Sequence, residues 1–323
     1  MDEIKLDVKD KKILLSLDMN ARQADSQIAK SVGLSKQLAN YRIKRLEKKG
    51  IIRSYYSVID HTRIGLKMYR IGIKLGNADK EKEAEILGHL KKKASWIVSV
   101  FGKWDIWMVM YARDEYDFME FWNNFYGKYS YYIESSWISL ITRLWNFERS
   151  FVFPSKKNRD KYFVLGSEPA CKSLDKTDRQ ILQELTKNAR QNSLEIAKKI
   201  KQTERVVRYR IKKLENDKII MGHRAFLNTE LMGLKFYKIF VTLTGARLKE
   251  KNQVNIYIFQ NPNVVYATEA LGGYDFEFEA NFSDSQELYE FISKFKEAFP
   301  KIVRSVSFME HIKEHKLTYY PLQ

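Results

Sequence analysis

"YRIKRLEKKGII" occupies residues 41–52 and "YRIKKLENDKII" occupies residues 209–220 of a 323-residue chain. In the first, Ile43 and Leu46 continue a stripe begun at Ala39, and in the second Ile211 and Leu214 continue one begun at Val207. Spacings of four and three put each stripe on one face of a helix, so that face is buried and the opposite one is free. The free face is basic: residues 35–53 hold seven Lys or Arg against one Glu, a block of positive potential suited to neutralising phosphates. The first helix stops at Gly50, and "IIRSYYSVI" then reads as a strand, the wing of the unit.

Working outward, Asp7 and Asp10 precede Ile13, Leu14 and Leu17, which predicts a capped amphipathic helix, and Asp175, Asp178, Ile181, Leu182 and Leu185 repeat it. The turn "NARQ" follows in both copies. A short helix with Ile28, Ala29 and Val32 inward leads to "GLS", where Gly33 takes a left-handed turn and Ser35 caps the basic helix. Three short helices, the third basic, followed by a strand describe a winged helix-turn-helix. The second copy has Lys201, Gln202 and Thr203 in place of Gly33, Leu34 and Ser35, and Lys218 in place of Gly50, so its turns depart from the pattern.

At an offset of 168, residues 6–71 align on 174–239 without a gap, with 26 of 66 pairs identical. Farther along, "FGKWD" at 101–105 answers "LGGYD" at 271–275 at an offset of 170. The whole chain is therefore two copies of one unit. After the basic helix of copy one, "KMYRIGIKL" reads as strand and residues 79–94 as helix. Residues 96–102 and 104–112 read as a hairpin, 115–129 as helix and 133–141 as strand, and copy two repeats this from 235 to 320. That βαββαβ order predicts a ferredoxin-like split βαβ sandwich. The fold class is thus α+β: winged helix-turn-helix at 1–60 and 174–228, ferredoxin-like domains at 61–150 and 229–323, and a linker at 151–173. Its 23 residues reach up to roughly 75 Å when extended, enough to join the halves of a pseudo-dimer or to exchange halves between chains.

Composition narrows the function. Hydrophobic content is 44%, no apolar run is long enough to span a bilayer, and the charged start is unlike a secretory signal, so a cytoplasmic protein is expected. A single cysteine, Cys171, rules out internal disulfides and multi-cysteine metal sites, and no metal or cofactor is expected. Of the net charge of +17, residues 1–60 carry +5 and residues 174–228 carry +7, whereas residues 229–323 sum to −1. Double-stranded DNA is the partner this distribution favours.

The motifs LD-x-x-D-x-x-IL, N-A-R, G-L-S and R-[IV]-K-R-L-E-x-x-G-[IV]-I in copy one resemble the DNA-binding domain of the Lrp/AsnC (feast/famine) transcription regulators. The resemblance continues into the ferredoxin-like halves, where the G-x-aromatic-D hairpin is matched by Gly102, Trp104, Asp105 and by Gly272, Tyr274, Asp275. It implies sheets that associate, within the chain or between chains, and an amino-acid-like effector bound between such domains.

With the apolar stripe inward, Lys36, Gln37, Asn40 and Lys44 fall on the groove side of the first basic helix, and Arg42, Arg45 and Arg53 flank it toward phosphates. The second helix offers Glu204, Arg205, Arg208 and Lys212, with Arg210 and Lys213 as flanking cations. Gln and Asn suit adenine, and Arg suits guanine. Tyr41 and Tyr209 fit packing or a phosphate contact. Around the hairpins, period two places Asp275, Glu277 and Glu279 on one sheet face, to meet a cationic ligand or to pair locally, while all six tryptophans lie in the first ferredoxin-like half. Two alternatives remain open at this point. One is a decarboxylase of the sirohaem type, known among fused relatives of the family, against which stand only five scattered histidines, none on the hairpin strands. The other is an effector sensor without DNA binding, against which stand the basic residues kept on both helices.

Overall fold

The computed structural model describes residues 5–154, 161–166, 172–245 and 248–319, so Cys171, Tyr320 and parts of the expected linker lie outside it. Copy one runs α1 (Val8–Met19), α2 (Asp25–Val32), α3 (Lys36–Lys48), β1 (Ile52–Ile59), β2 (Lys67–Leu75), α4 (Lys80–Lys91), β3 (Ala94–Phe101), β4 (Ile106–Ala112), α5 (Glu115–Tyr129) and β5 (Ile133–Phe147). Within the segment read as linker, β6 (Tyr162–Leu165) pairs with β5. Copy two runs α6 (Lys176–Lys187), α7 (Ser193–Ile200), α8 (Glu204–Asn216), β7 (Ile220–Leu227), β8 (Lys235–Leu243), α9 (Leu248–Gln260), β9 (Val264–Leu271), β10 (Phe276–Phe282), α10 (Ser285–Ala298) and β11 (Val303–Leu317). Among the described residues no helix is long and apolar enough to cross a membrane.

The helical units form as their sequences dictate. Asp7 and Asp175 close capping boxes with Asp10 and Asp178, satisfying backbone donors at the starts of α1 and α6. Ser35 and Thr203 accept from the third amide of α3 and α8. The departures in copy two leave the turns unchanged: Lys201 sits at φ +55° where Gly33 sits at +67°, and Lys218 at +54° where Gly50 sits at +74°.

The expected wings are not hairpins within each copy. β1 pairs antiparallel with β7 of the other copy, in a register that sets Tyr56 opposite Arg224, its own counterpart at the offset of 168. A pseudo-two-fold axis therefore passes through that pair. The shared NARQ turns interlock the units across it: Arg22 donates to the carbonyls of Ala189 and Gln191, and Arg190 donates to that of Ala21 and pairs with Asp25. One apolar core joins Ile13, Leu14 and Leu17 to Ala225 and Leu227, so neither unit buries its core alone.

The ferredoxin-like halves share a sheet of nine strands in the order β2-β4-β3-β11-β8-β10-β9-β5-β6, and β5 also pairs with β2, so the sheet closes on itself. The long strands make this possible. β5 begins beside β2 and continues along β9, while β11 begins beside β8 and continues along β3. Alternation sends Tyr69, Ile71 and Ile73 outward against α4 and α5, and Tyr237, Ile239 and Val241 outward against α9 and α10. The other faces meet inside.

Two ionic groups are buried at the axis. Arg70 meets Glu277 at 2.6 Å and Glu279 at 3.7 Å, and Lys238 meets the same carboxylates at 2.9 and 3.2 Å. Burial works to raise the Glu279 pKa, but Lys238 and Arg70 hold it below the usual carboxylate range. Nearer the ribbon, Asp18 pairs with both Arg224 and Arg149, and Arg224 also donates to Asn146 and to the carbonyl of Phe147.

Candidate nucleic-acid interface

The helix α3 turns Ala39, Ile43 and Leu46 inward, and α8 does the same with Val207, Ile211 and Leu214. Lys36, Gln37, Tyr41 and Lys44 are exposed on α3, as are Arg205, Arg208, Tyr209, Lys212 and Lys213 on α8. Tyr41 and Tyr209 are 62% and 66% exposed, which rules out a packing role and leaves them on the outer surface at equivalent positions.

The remaining sequence-predicted residues are tied down. Arg42 lies 2.6 Å from Asp7 and 2.9 Å from Asp10, Arg45 lies 2.5 Å from Asp10, and Arg210 lies 2.7 Å from Asp175 and 3.2 Å from Asp178. These arginines bolt the third helix of each unit to the capped start of the first. The Arg42 hydrogen bond holds the Asp7 carboxyl below its usual range. Asn40 donates to Asp25 at 2.6 Å, and Glu204 pairs with Arg208 along α8. Arg53 joins neither face. It lies over the Phe226 ring, 3.9 Å from Glu230 and 4.0 Å from Glu314. Lys36, Lys44, Arg205, Lys212 and Lys213 have no ion pair among the described residues and form the uncommitted positive surface.

The hairpin residues meet one another but serve the fold. Asp105 accepts from the Leu75 amide and Asp275 from the Leu243 amide, each at a matching distance of 2.8 or 2.9 Å. Gly102 and Gly272 take positive φ at the two turns. Trp104 and Trp107 are buried with Val98, Phe240 and Met309, against which Trp137 and Tyr274 pack, and Lys103 reaches the Tyr274 hydroxyl at 3.2 Å. Glu277 is in the buried ionic group with Arg70, a partner from the other copy.

A cavity is assembled where sequence reasoning placed none. Between the ribbon and the closed sheet lies a cavity of about 630 Å³, lined among others by Tyr56, His61, Arg149, Phe226 and His311. These residues come from strands and loops far apart in the chain, so no local pattern marks them. The one available signal was the histidines. Burial pushes His61 down to about 3 and His311 to about 4, so both are neutral imidazoles at neutral pH.

Comparison with known proteins adds to this geometry. The winged helix-turn-helix DNA-binding family matches residues 6–53 and again 174–221. LrpA, a helix-turn-helix transcriptional regulator of Pyrococcus horikoshii, is 34% identical over 128 residues, covering 38% of this chain and 87% of LrpA. The regulator AldR of Mycolicibacterium smegmatis is 30% identical over 119 residues, covering 36% of this chain and 70% of AldR. Among solved structures, the siroheme decarboxylase NirDL shares the fold over 96% of this chain and 92% of its own, with a TM-score of 0.64 at 13% identity.

Proposed function

We propose that this chain, which belongs to the Lrp/AsnC family of transcription regulators, binds double-stranded DNA as a covalent pseudo-dimer whose two recognition helices read unlike half-sites. The observation that carries the reading is the pair of uncommitted basic faces on α3 and α8, held by one interlocked unit about a pseudo-two-fold axis. Two such helices serve successive major grooves about 34 Å apart. Lys36, Lys44, Lys212 and Lys213 neutralise phosphate, while Gln37 and Arg205 reach base edges. Arg42, Arg45 and Arg210 act through the fold, by fixing the helix that carries the readers.

The fold shared with a siroheme decarboxylase raises an enzymatic reading. Several uncommitted cations would be needed to hold a substrate rich in carboxylates. Of the cations lining the central cavity, Arg53, Arg70 and Lys235 each face a carboxylate, Arg149 shares the single carboxylate of Asp18 with Arg224, and Lys313 has no ion pair among the described residues, too few free charges for such a substrate. That supports regulation over catalysis, with no cofactor required.

The test is binding to duplex DNA across a salt series. Log affinity is expected to fall linearly with log salt, by about 0.9 for each phosphate neutralised. Lys212→Ala should lower the slope by about that amount and weaken all sequences alike. Arg42→Ala should reduce stability and leave the slope of the folded fraction unchanged. Binding insensitive to salt contradicts the proposal.

A further inference from the structure

The central cavity has a shape and a charge that the DNA-binding reading does not use. At about 630 Å³ it falls within the roughly 300–1,000 Å³ typical of small-molecule sites. Its roof is the β1/β7 ribbon, through Tyr56, Val58 and Phe226, and its floor is the inner face of the closed sheet, through Val98, Val109 and Leu144. The hairpin strands contribute Trp96, Val98, Val109 and Tyr111, but the turn residues Gly102, Trp104, Asp105, Gly272, Tyr274 and Asp275 do not line it.

Aromatic and imidazole rings line parts of the walls, and four of them are stacked in two pairs. Tyr56 lies on Tyr319 with centroids 3.6 Å apart and planes within 7°, and His61 lies on Tyr111 at 3.9 Å. His311 sits 4.6 Å from Phe236 and 5.2 Å from Trp96. Such walls favour a planar aromatic guest, by offset stacking and edge contacts. Among the side chains of the lining residues, the buried Ser95 Oγ and His311 Nε2 are two of several polar atoms with no hydrogen-bond partner among the described residues, and a buried polar group without one normally has an unstated ligand or water.

Charge selects among such guests. The inner quartet cancels, with Arg70 and Lys238 against Glu277 and Glu279. At the ribbon end, Asp18 faces two guanidiniums, Arg149 and Arg224, all three below 10% exposure. One positive charge is left over, and Arg149 lines the cavity. The neighbouring Tyr56 registers it: burial acts to raise its phenol pKa, yet Arg149 and Arg224 bring it below the usual value.

We propose that this cavity binds a planar aromatic monocarboxylate, its rings among the aromatic walls and its single negative charge at the Arg149 end. Because the roof is the ribbon that joins the two recognition units, occupancy also alters DNA affinity. That coupling, though not the binding, rests on the function proposed above.

The experiment titrates the full chain with 2-naphthoate and with 2-naphthamide, which has the same rings and no charge, following calorimetry and tryptophan fluorescence. One naphthoate per chain is expected, bound at least about tenfold more tightly than the amide, a difference of about 1.4 kcal/mol. Arg149→Met leaves Asp18 paired with Arg224, so the fold should hold while the preference for the acid disappears. Ser95→Phe, which fills the cavity, should abolish binding of both compounds with the far-ultraviolet spectrum unchanged. Equal affinity for acid and amide, no saturable binding, or an Arg149→Met chain that still prefers the acid would overturn the site. An iron tetrapyrrole binding there with an intense Soret band, and naphthoate not at all, would overturn the ligand class. A DNA affinity unmoved by saturating naphthoate would overturn the coupling alone. Absence of DNA binding altogether would refute the regulator reading, while the naphthoate titration would still decide the site.

Discussion

The two copies agree in the contacts that frame each helix-turn-helix unit and differ in the buried ionic groups where they face each other across the pseudo-two-fold axis. Asp7, Asp10 and Arg42 of one copy have Asp175, Asp178 and Arg210 as exact equivalents in the other, making the same contacts. At the axis, by contrast, Asp18 corresponds to Thr186, Arg224 to Tyr56, Arg149 to Tyr319 and Glu277 to Trp107. Each buried ionic group includes a bridge between unlike halves, Arg70 to Glu277 in one and Arg224 to Asp18 in the other. Two first copies would bury Arg70 twice with no carboxylate from β4, and two second copies would bury Arg224 twice with Thr186 in place of Asp18. Covalent fusion removes the requirement that the two sides of an interface be the same, and this chain has used that freedom.

The two copies differ most in energy at Asp18. Asp18→Ala leaves two buried guanidiniums without their carboxylate and should cost about 3–5 kcal/mol. Thr186→Ala, at the equivalent site, loses only a hydroxyl bonded to the carbonyls of its own helix and should cost no more than about 1 kcal/mol. Urea denaturation of both variants checks this, and equal losses would show that the axis is not asymmetric in energy.

Acid sharpens the contrast at His61, whose counterpart is Thr229. With a folded pKa of about 3 against an ordinary value of 6.5, His61 favours the folded state above pH 6.5. As pH falls from 6.5 toward 3, the unfolded chain takes up a proton that the folded chain refuses, so stability declines. Between pH 7 and pH 5 His61 should account for a loss of about 2 kcal/mol, which His61→Gln should remove while the similar share of His311 stays. A dependence unchanged in the variant would place its origin elsewhere.

The smallest effect lies in the turns. Lys201 and Lys218 hold left-handed conformations that glycine holds in copy one, at a cost of about 1–2 kcal/mol per residue. Lys201→Gly and Lys218→Gly should each stabilise the chain, by about 0.5–1 kcal/mol after the greater unfolded entropy of glycine is counted. Thermal melts resolve a shift of that size, and destabilisation would mean the lysine side chains contribute contacts beyond the backbone.

Much of this architecture was legible in the residues. The stripes at Ala39, Ile43 and Leu46 and at Val207, Ile211 and Leu214 place each basic helix, and the alternation in "KMYRIGIKL" places Tyr69, Ile71 and Ile73 on one face. Periodicity reports which face is buried but not against what. It could not show that "IIRSYYSVI" pairs with the other copy, because a strand's partner is not encoded in its own alternation. Nor could it show that Arg42 is held by carboxylates about thirty residues earlier, since an outward position on a helix looks the same whether a side chain meets solvent or a neighbouring cap. Alternation puts Glu277 and Glu279 on one face, where Lys238 of the same half meets both, but their second partner, Arg70, arrives from the other half. The cavity was invisible for the same reason: Tyr56, Arg149 and His311 share a wall only after both copies have closed around the axis.

Selecting duplex DNA sites from a random pool with the intact protein decides whether one chain reads two unlike half-sites. The expected site is an imperfect palindrome with half-sites about one helical turn apart, one half set by Gln37 toward A·T contacts and the other by Arg205 toward G·C, each good contact contributing about 1–3 kcal/mol. Grafting residues 36–44 onto positions 204–212 should then make the selected site more symmetric. A perfect palindrome from the native chain, or an asymmetric site that the graft leaves unchanged, would contradict the account.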